Sequence, residues 1–343
     1  MRRLGYIFSL ISVTIILGFC GKTSGFPPTD SLKPLKLSLV ADFSELEDVG
    51  LVGDVELMGN DEIVFTDVQR NTIYRTNISS RKLTPIGRSG EGPGEYSSVS
   101  DLYVDGDRLY IVEGRSKIMV YSIDGKFISE QKLKGNFFRA WFVGKIGEEF
   151  ILAKMVMKNR IEPYLGVYRW KEGKEPELIV ENPVSQKTKK RESAGRIAFQ
   201  IFFISFPAYG VIEDKIFSSA SHTYTFSFLD INGKIIKKVT IDAPEPQIHP
   251  SFRKGRKIKR DRIYAVIHAY MCRENLCLIS SYYRDNFPRL DVFSKEGKYL
   301  RSYFIPLPFD RPIASTIKIQ KGYLIFYSIE NSGFKIYRLP EKI

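Results

Sequence analysis

The most chemically suggestive stretch of this 343-residue chain is Gly87-Arg88-Ser89-Gly90-Glu91-Gly92-Pro93-Gly94-Glu95-Tyr96. Its glycines can bring backbone amides close to a ligand, and Arg88, Glu91, Glu95 and Tyr96 are candidate members of a binding loop. A phosphate loop of the Walker type requires Gly-Lys-Ser/Thr opening a helix, and neither the Lys nor a helical period is present. A nucleophile elbow centred on Ser89 is excluded because Glu91 stands where the second Gly of G-x-S-x-G belongs. The competing reading is a tight crossover in which the glycines take positive φ and Arg88 pairs with Glu95.

Other candidate groups are sparse. His222, His249 and His268 are the only histidines, no two of them close in sequence, and they are expected to be structural or exposed. Asp105-Gly106-Asp107 lacks the further acidic positions of a calcium loop and reads as a hairpin turn. Cys272 and Cys277 flank Arg273-Glu274-Asn275-Leu276 between two apolar runs. They can close a small disulfide in an oxidising compartment or persist as reduced structural thiols. No second Cys or His pair lies at zinc-ligand spacing, and neither a metal, a cofactor nor a catalytic set is expected.

Basic residues are concentrated. The formal charge of +13 falls to +11 once Arg2 and Arg3 leave with a leader, and much of it sits in Lys187–Arg191 and Arg253–Arg262. Lys189, Lys190, Arg191, Arg253, Lys254, Arg256, Lys257, Lys259 and Arg260 are candidate contacts to a polyanion. The alternative is a pair of solvated basic loops.

The beginning of the chain bounds where such contacts operate. Arg2 and Arg3 precede an apolar run from Leu4 to Phe19, shorter than the roughly 20 apolar residues of a spanning helix, so residues 1–20 read as a cleaved signal peptide. Leu17-Gly18-Phe19-Cys20 resembles a bacterial lipobox, with Phe19 where a small residue is usual. The resemblance implies acylation of Cys20, a flexible tether over 21–34, and an envelope protein facing the periplasm or the exterior. Secretion after cleavage at Gly25 is the rival, and export disfavours nucleic acid as a partner.

The elements that must position these groups are strands. Hydrophobic content of 43% with 13% aromatics supports a sizeable core and favours β structure. One unit recurs: a strand, a turn with Gly-Lys, and a second strand, as in Met119–Ile128, Val167–Lys174, Phe228–Ile236 and Val292–Leu300. A fifth copy at Ile73–Leu83 lacks the Gly. A second hairpin with a short polar turn precedes each of these units, the six being Val55–Val68, Val99–Glu113, Ala140–Lys154, Tyr209–Ala220, Ala265–Ser281 and Thr316–Ser328. The period of about 45–65 residues matches a four-stranded blade. The last repeat stops at a third strand, Phe334–Arg338, while Leu35–Val40 is an alternating strand without a partner.

An all-β, six-bladed propeller of four-stranded antiparallel blades over residues 35–343 is therefore expected, closed by pairing of the N-terminal strand with the last blade. On the loop Gly87–Tyr96, the chain resembles bacterial six-bladed propeller lipoproteins related to NHL-repeat and TolB-like propellers. That resemblance implies an exported propeller and adds little chemistry. The expected function is non-enzymatic: a monomeric, lipid-anchored binding or scaffold module for a protein or an anionic envelope component. The alternative is a metal-dependent, lactonase-like hydrolase with its ligands in the central channel.

Overall fold

The computed structural model describes residues 26–59, 61–114, 116–135, 137, 140–158, 162–183, 208–219, 222–247, 265–284, 287–307, 317–327 and 333–343. Among them six sheets follow one another along the chain. Blade one is Val52–Met58, Glu62–Asp67, Thr72–Asn77 and Thr84–Ile86; blade two is Val99–Asp105, Arg108–Glu113, Lys117–Ser122 and Phe127–Lys132. Blade three is Trp141–Ile146, Glu149–Lys158, Glu162–Trp170 and Glu177–Pro183; blade four is Ala208–Ile212, Lys215–Ser219, Thr225–Leu229 and Ile235–Thr240. Blade five is Val266–Cys272, Asn275–Arg284, Phe287–Phe293 and Tyr299–Phe304. Blade six takes Ile317–Gln320, Tyr323–Tyr327 and Phe334–Arg338 from the end of the chain and its fourth strand, Ser38–Phe43, from the beginning.

Alternation of side chains explains the radial arrangement. One face of each strand packs toward the preceding blade and the other toward the next, so each interface between neighbours holds its own apolar cluster. Ile63, Phe65, Phe334 and Ile336 fill the interface of blades six and one, and Leu102, Ile111, Met119 and Tyr121 that of blades one and two. Tyr110, Phe142, Phe150 and Trp170 form a set of edge-on and tilted rings between blades two and three. Such rings bury large apolar areas and restrict one another's orientation.

Three of the four Gly-Lys turns share one geometry. Gly125, Gly173, Gly233 and Gly297 have φ of 90°, 79°, 82° and 82°, and each hairpin slips register beside its turn. At Gly125, Gly233 and Gly297 the glycine N–H donates to the carbonyl three residues back at 2.9, 3.0 and 2.8 Å, a type I turn closed by a glycine bulge. In the longer turn at Gly173 the Lys174 N–H donates to Lys171 O at 2.9 Å and the glycine N–H to Gln131 Oε1 at 2.8 Å. At Gly233 a Cβ would lie 2.5 Å from the Ile179 carbonyl oxygen of the preceding blade, so glycine is needed for packing as well as for φ.

Closure occurs three residues later than the alternation of Leu35–Val40 suggests. Lys33–Pro34 adds in parallel to Tyr299–Phe304, the Leu35 N–H donates to the Phe304 carbonyl at 2.9 Å, and Leu35 is buried between blades five and six. The closing strand starts at Ser38, with a register shift between Leu39 and Ala41 that leaves Leu39 exposed. Residues 26–34, within the span expected as a tether, lie against blade five.

The first strand of every blade starts at the end where the second strand finishes and the third begins; Val52, Asp67 and Thr72 are paired at that end of blade one. Connectors from one blade to the next share this end, here called the connector face. No helix among the described residues is long and apolar enough to cross a membrane.

Candidate functional site

The first strands of successive blades pack side by side around the axis, and their alternation decides what lines it. In Val52–Met58, Val55 and Leu57 enter the apolar interface with blade six, which turns Asp54 and Glu56 the other way. In Ile317–Gln320, Ile317 and Ile319 are core residues and Lys318 and Gln320 alternate with them. The same alternation brings out Asp101, Tyr103 and Asp105 in blade two, Lys145 in blade three, and His268 and Tyr270 in blade five.

These groups form a chain of contacts from blade to blade. Lys318 Nζ lies 3.0 Å from Asp54 Oδ1 and also donates to Glu56 Oε1. Gln320 Nε2 donates to Glu56 Oε2 at 2.6 Å, while its Oε1 accepts the Leu57 N–H at 2.9 Å. Asp54 Oδ2 accepts the Leu102 N–H of blade two at 3.2 Å, and Asp101 Oδ2 accepts the Phe142 N–H of blade three at 2.6 Å. Lys145 pairs with Asp105, and Tyr270 donates to the Ile317 carbonyl at 2.7 Å. Around blades three to five close backbone approach replaces charge: a Cβ at Gly144 would lie 2.6 Å from Val211 Cβ, and one at Gly210 would lie 3.2 Å from the Ala269 carbonyl oxygen.

Electrostatics follow from this arrangement. Burial raises the Glu56 carboxyl, and the Lys318 ammonium works against that rise. Burial together with the Asp54 charge pushes Asp101 well above the usual carboxylate range. Burial disfavours the Lys318 charge, yet Asp54, Glu56 and Asp101 hold its proton more tightly than in water. His268 is pushed down to about 4 by burial, which keeps it neutral near neutrality. Three carboxyl groups thus share one ammonium. A divalent ion between Asp54 and Glu56 would have to displace Lys318, since hard cations take several oxygen ligands directly. Among the described residues no cluster of three or more His, Cys, Asp or Glu side chains is arranged to hold a metal.

The residues expected from sequence are located elsewhere. In the loop Gly87–Tyr96, Arg88-Ser89 pairs in parallel with Glu95-Tyr96. Arg88 Nε lies 2.5 Å from Glu95 Oε1, and Glu95 Oε2 accepts the Gly92 N–H at 2.8 Å. These bonds lower the Glu95 carboxyl, the Gly92 amide most strongly. Tyr96 is fully buried; its hydroxyl donates to Ile86 O at 2.8 Å and accepts the Ile73 N–H at 3.1 Å. Glu91 is exposed. The loop braces the crossover from blade one to blade two, on the connector face.

Cys272 and Cys277 are joined by a disulfide across the first hairpin of blade five, with Cα atoms 5.8 Å apart. Both are buried beside Ile343, whose carbonyl accepts from Asn275 Nδ2 at 2.7 Å. Cys20, His249, Lys189, Lys190, Arg191, Arg253, Lys254, Arg256, Lys257, Lys259 and Arg260 lie outside the described residues. The channel set of Asp54, Glu56, Asp101, Lys318 and Gln320 is absent from the sequence expectations. Its one signal is polar residues at i and i+2 in the first strand of a blade, Asp54-Val55-Glu56 and Lys318-Ile319-Gln320.

Comparisons with known proteins agree with this architecture. A family of six-bladed β-propellers matches over residues 45–145, from the approach to blade one through the first strand of blade three. No curated protein sequence matches the chain. A crystal structure of a candidate exported protein from Bacteroides fragilis superposes with a TM-score of 0.50 at 13% identity, covering 93% of this chain and 99% of that one. A luciferin-regenerating enzyme (TM-score 0.49, 12% identity, 90% and 96% covered) and a streptogramin B lyase (0.47, 12%, 89% and 98%) are further solved structures of similar outline. At such identities the likeness concerns the fold and not the site. Six radially packed, mainly antiparallel four-stranded sheets, the last closed by the N-terminal strand, make this chain a six-bladed β-propeller.

Proposed function

We propose that the chain is an exported, lipid-anchored binding module and not a hydrolase, and that it meets an anionic envelope component through its connector face. The observation that carries the non-catalytic part is the seat of Lys318. Its ammonium sits between the two carboxylates, Asp54 and Glu56, that a channel metal would need. The channel polar groups are spent on joining blades six, one, two and three into a rigid ring, which suits a scaffold that presents loops. The anionic partner is supported by the basic runs at Lys187–Arg191 and Arg253–Arg262, in the connectors from blade three to four and from blade four to five. Basic clusters near a bilayer gain about 1 kcal/mol per residue from anionic head groups.

The test is retention of the protein on vesicles of anionic phospholipid as a function of salt. Binding should weaken steeply with ionic strength. It should be lost when Lys189, Lys190, Arg191, Arg253, Lys254, Arg256, Lys257, Lys259 and Arg260 are replaced together by Gln. Unchanged retention in that variant overturns the anionic-partner reading. A stoichiometric divalent ion in the purified protein, with turnover of a lactone that Lys318→Met abolishes or enhances, overturns the non-catalytic one.

A further inference from the structure

The N-terminal segment is built into blade five from its first described residue. The Phe26 ring lies under the Arg289 guanidinium, 3.4 Å from Cζ to the ring centroid, and meets Tyr224 and Tyr282 edge-on at 5.4 and 5.1 Å. Arg289 Nη1 donates to the Pro27 carbonyl at 2.6 Å. The same guanidinium is held by Asp291 and Ser302, and its side chain is fully buried. A buried guanidinium must satisfy its donors, and Pro27 supplies one of the acceptors. The pocket is therefore complete only with the N-terminal segment in place. A short 3-10 turn, Thr29–Ser31, and the strand Lys33–Pro34 continue the attachment.

This pocket lies on the connector face. Tyr224 directly precedes the third strand of blade four, Tyr282 stands near the end of the second strand of blade five, and Arg289 near the start of its third. The connector from blade four to five runs beside them: Tyr282 donates to the Pro244 carbonyl at 2.7 Å, and the Gln247 N–H to the Ser281 carbonyl at 2.8 Å.

We infer that Phe26 is a docking peg that turns the connector face of blades four and five toward the membrane. The inference deepens the proposed function and rests on acylation of Cys20. Only residues 21–25 separate Cys20 from Phe26, a reach of roughly 20 Å when fully extended. A strand such as Val52–Met58, also six steps long, spans the same roughly 20 Å, before the turns at either end of a blade are added. A chain leaving the connector face on so short a lead cannot pass around blade five to present the opposite face. The partner of this surface is the lipid head-group layer in which the anchor is embedded.

The experiment uses the full, acylated protein in phosphatidylcholine vesicles, whose lack of net charge removes any pull on the basic connectors, with a nitroxide quencher on the head group. A fluorophore is placed by Asp242→Cys, exposed on the connector face, or by Asp214→Cys, exposed at the opposite end of blade four. Quenching at position 242 is expected to exceed that at 214 at least twofold. Phe26→Ala should bring the two toward equality. A 20-residue Gly/Ser spacer inserted between Gly25 and Phe26 should do the same with the clasp intact, a readout independent of any folding defect in the first variant. Equal quenching in the parent protein, or a contrast that survives the spacer, overturns the inference while leaving anchoring intact. A mass spectrum showing Cys20 unacylated or removed overturns both.

Discussion

Among the described residues two buried ion networks stand out, one inside blade five and one along the axis. In blade five Arg289 and Asp291 are matched one to one and both side chains are 0% exposed. Asp291 also accepts from the hydroxyls of Tyr224, Ser280 and Ser302, so every strong acceptor has a donor. Along the axis Lys318 serves Asp54, Glu56 and the charge of Asp101 together, and its side chain is 21% exposed. The first network is balanced and closed; the second is short of positive charge and open to water. A closed, balanced pair gives geometric definition and little net stability, which suits a clasp for the N-terminal segment. An open, unbalanced set stays responsive to protons, so its contribution to joining the blades varies with pH.

The sharpest way to break this comparison is Asp291→Ala. It leaves the Arg289 charge buried without its partner, and unfolding in denaturant should show a loss of about 3–5 kcal/mol. A loss under 1 kcal/mol would mean that water reaches the clasp and that the two networks are alike. Lys318→Met should cost less, about 2 kcal/mol at pH 7, because its partners can relax toward water or take up protons. The same measurement at pH 5 should show a smaller deficit, and a pH-independent deficit would assign Lys318 a packing role. Tyr224→Phe removes one of several donors to Asp291 and should cost about 1.5 kcal/mol with no pH dependence between 5 and 8.

The smallest effect has the opposite sign. Asp101 in the folded chain keeps its proton at pH values where an unfolded Asp, with a pKa of about 4, has lost it. The folded state then binds more protons than the unfolded one, so stability falls as pH rises through the raised folded value. Asp101→Asn should therefore match the parent near pH 4 and exceed it by about 1 kcal/mol at pH 8, as measured by denaturant titration across that range. Loss of stability at every pH would place Asp101 in a balanced network like that of blade five.

Much of the architecture is legible along the chain. The Gly-Lys turns at Gly125, Gly173, Gly233 and Gly297 mark the outer hairpins because each needs positive φ, a local requirement that appears directly as residue type. The blade count and the pairing of both chain ends also follow from strand periodicity. The register of closure does not: Leu35 and Leu37 alternate like strand residues, yet they are consumed by the interface of blades five and six. The loop Gly87–Tyr96, the most conspicuous stretch locally, is braced by its own Arg88–Glu95 pair.

The sequence by itself determined the strands, their turns and the six-fold repeat, since each depends on alternation and φ preferences within a few residues. Only the tertiary structure decided which polar residues meet. Lys318 and Asp54 are 264 positions apart, and Arg289 and Pro27 are 262 apart. Each pair is brought together by ring closure, which sets the last blades against the first part of the chain. Coulomb energy depends on that distance in space and on burial, neither of which the spacing of residues along a strand contains.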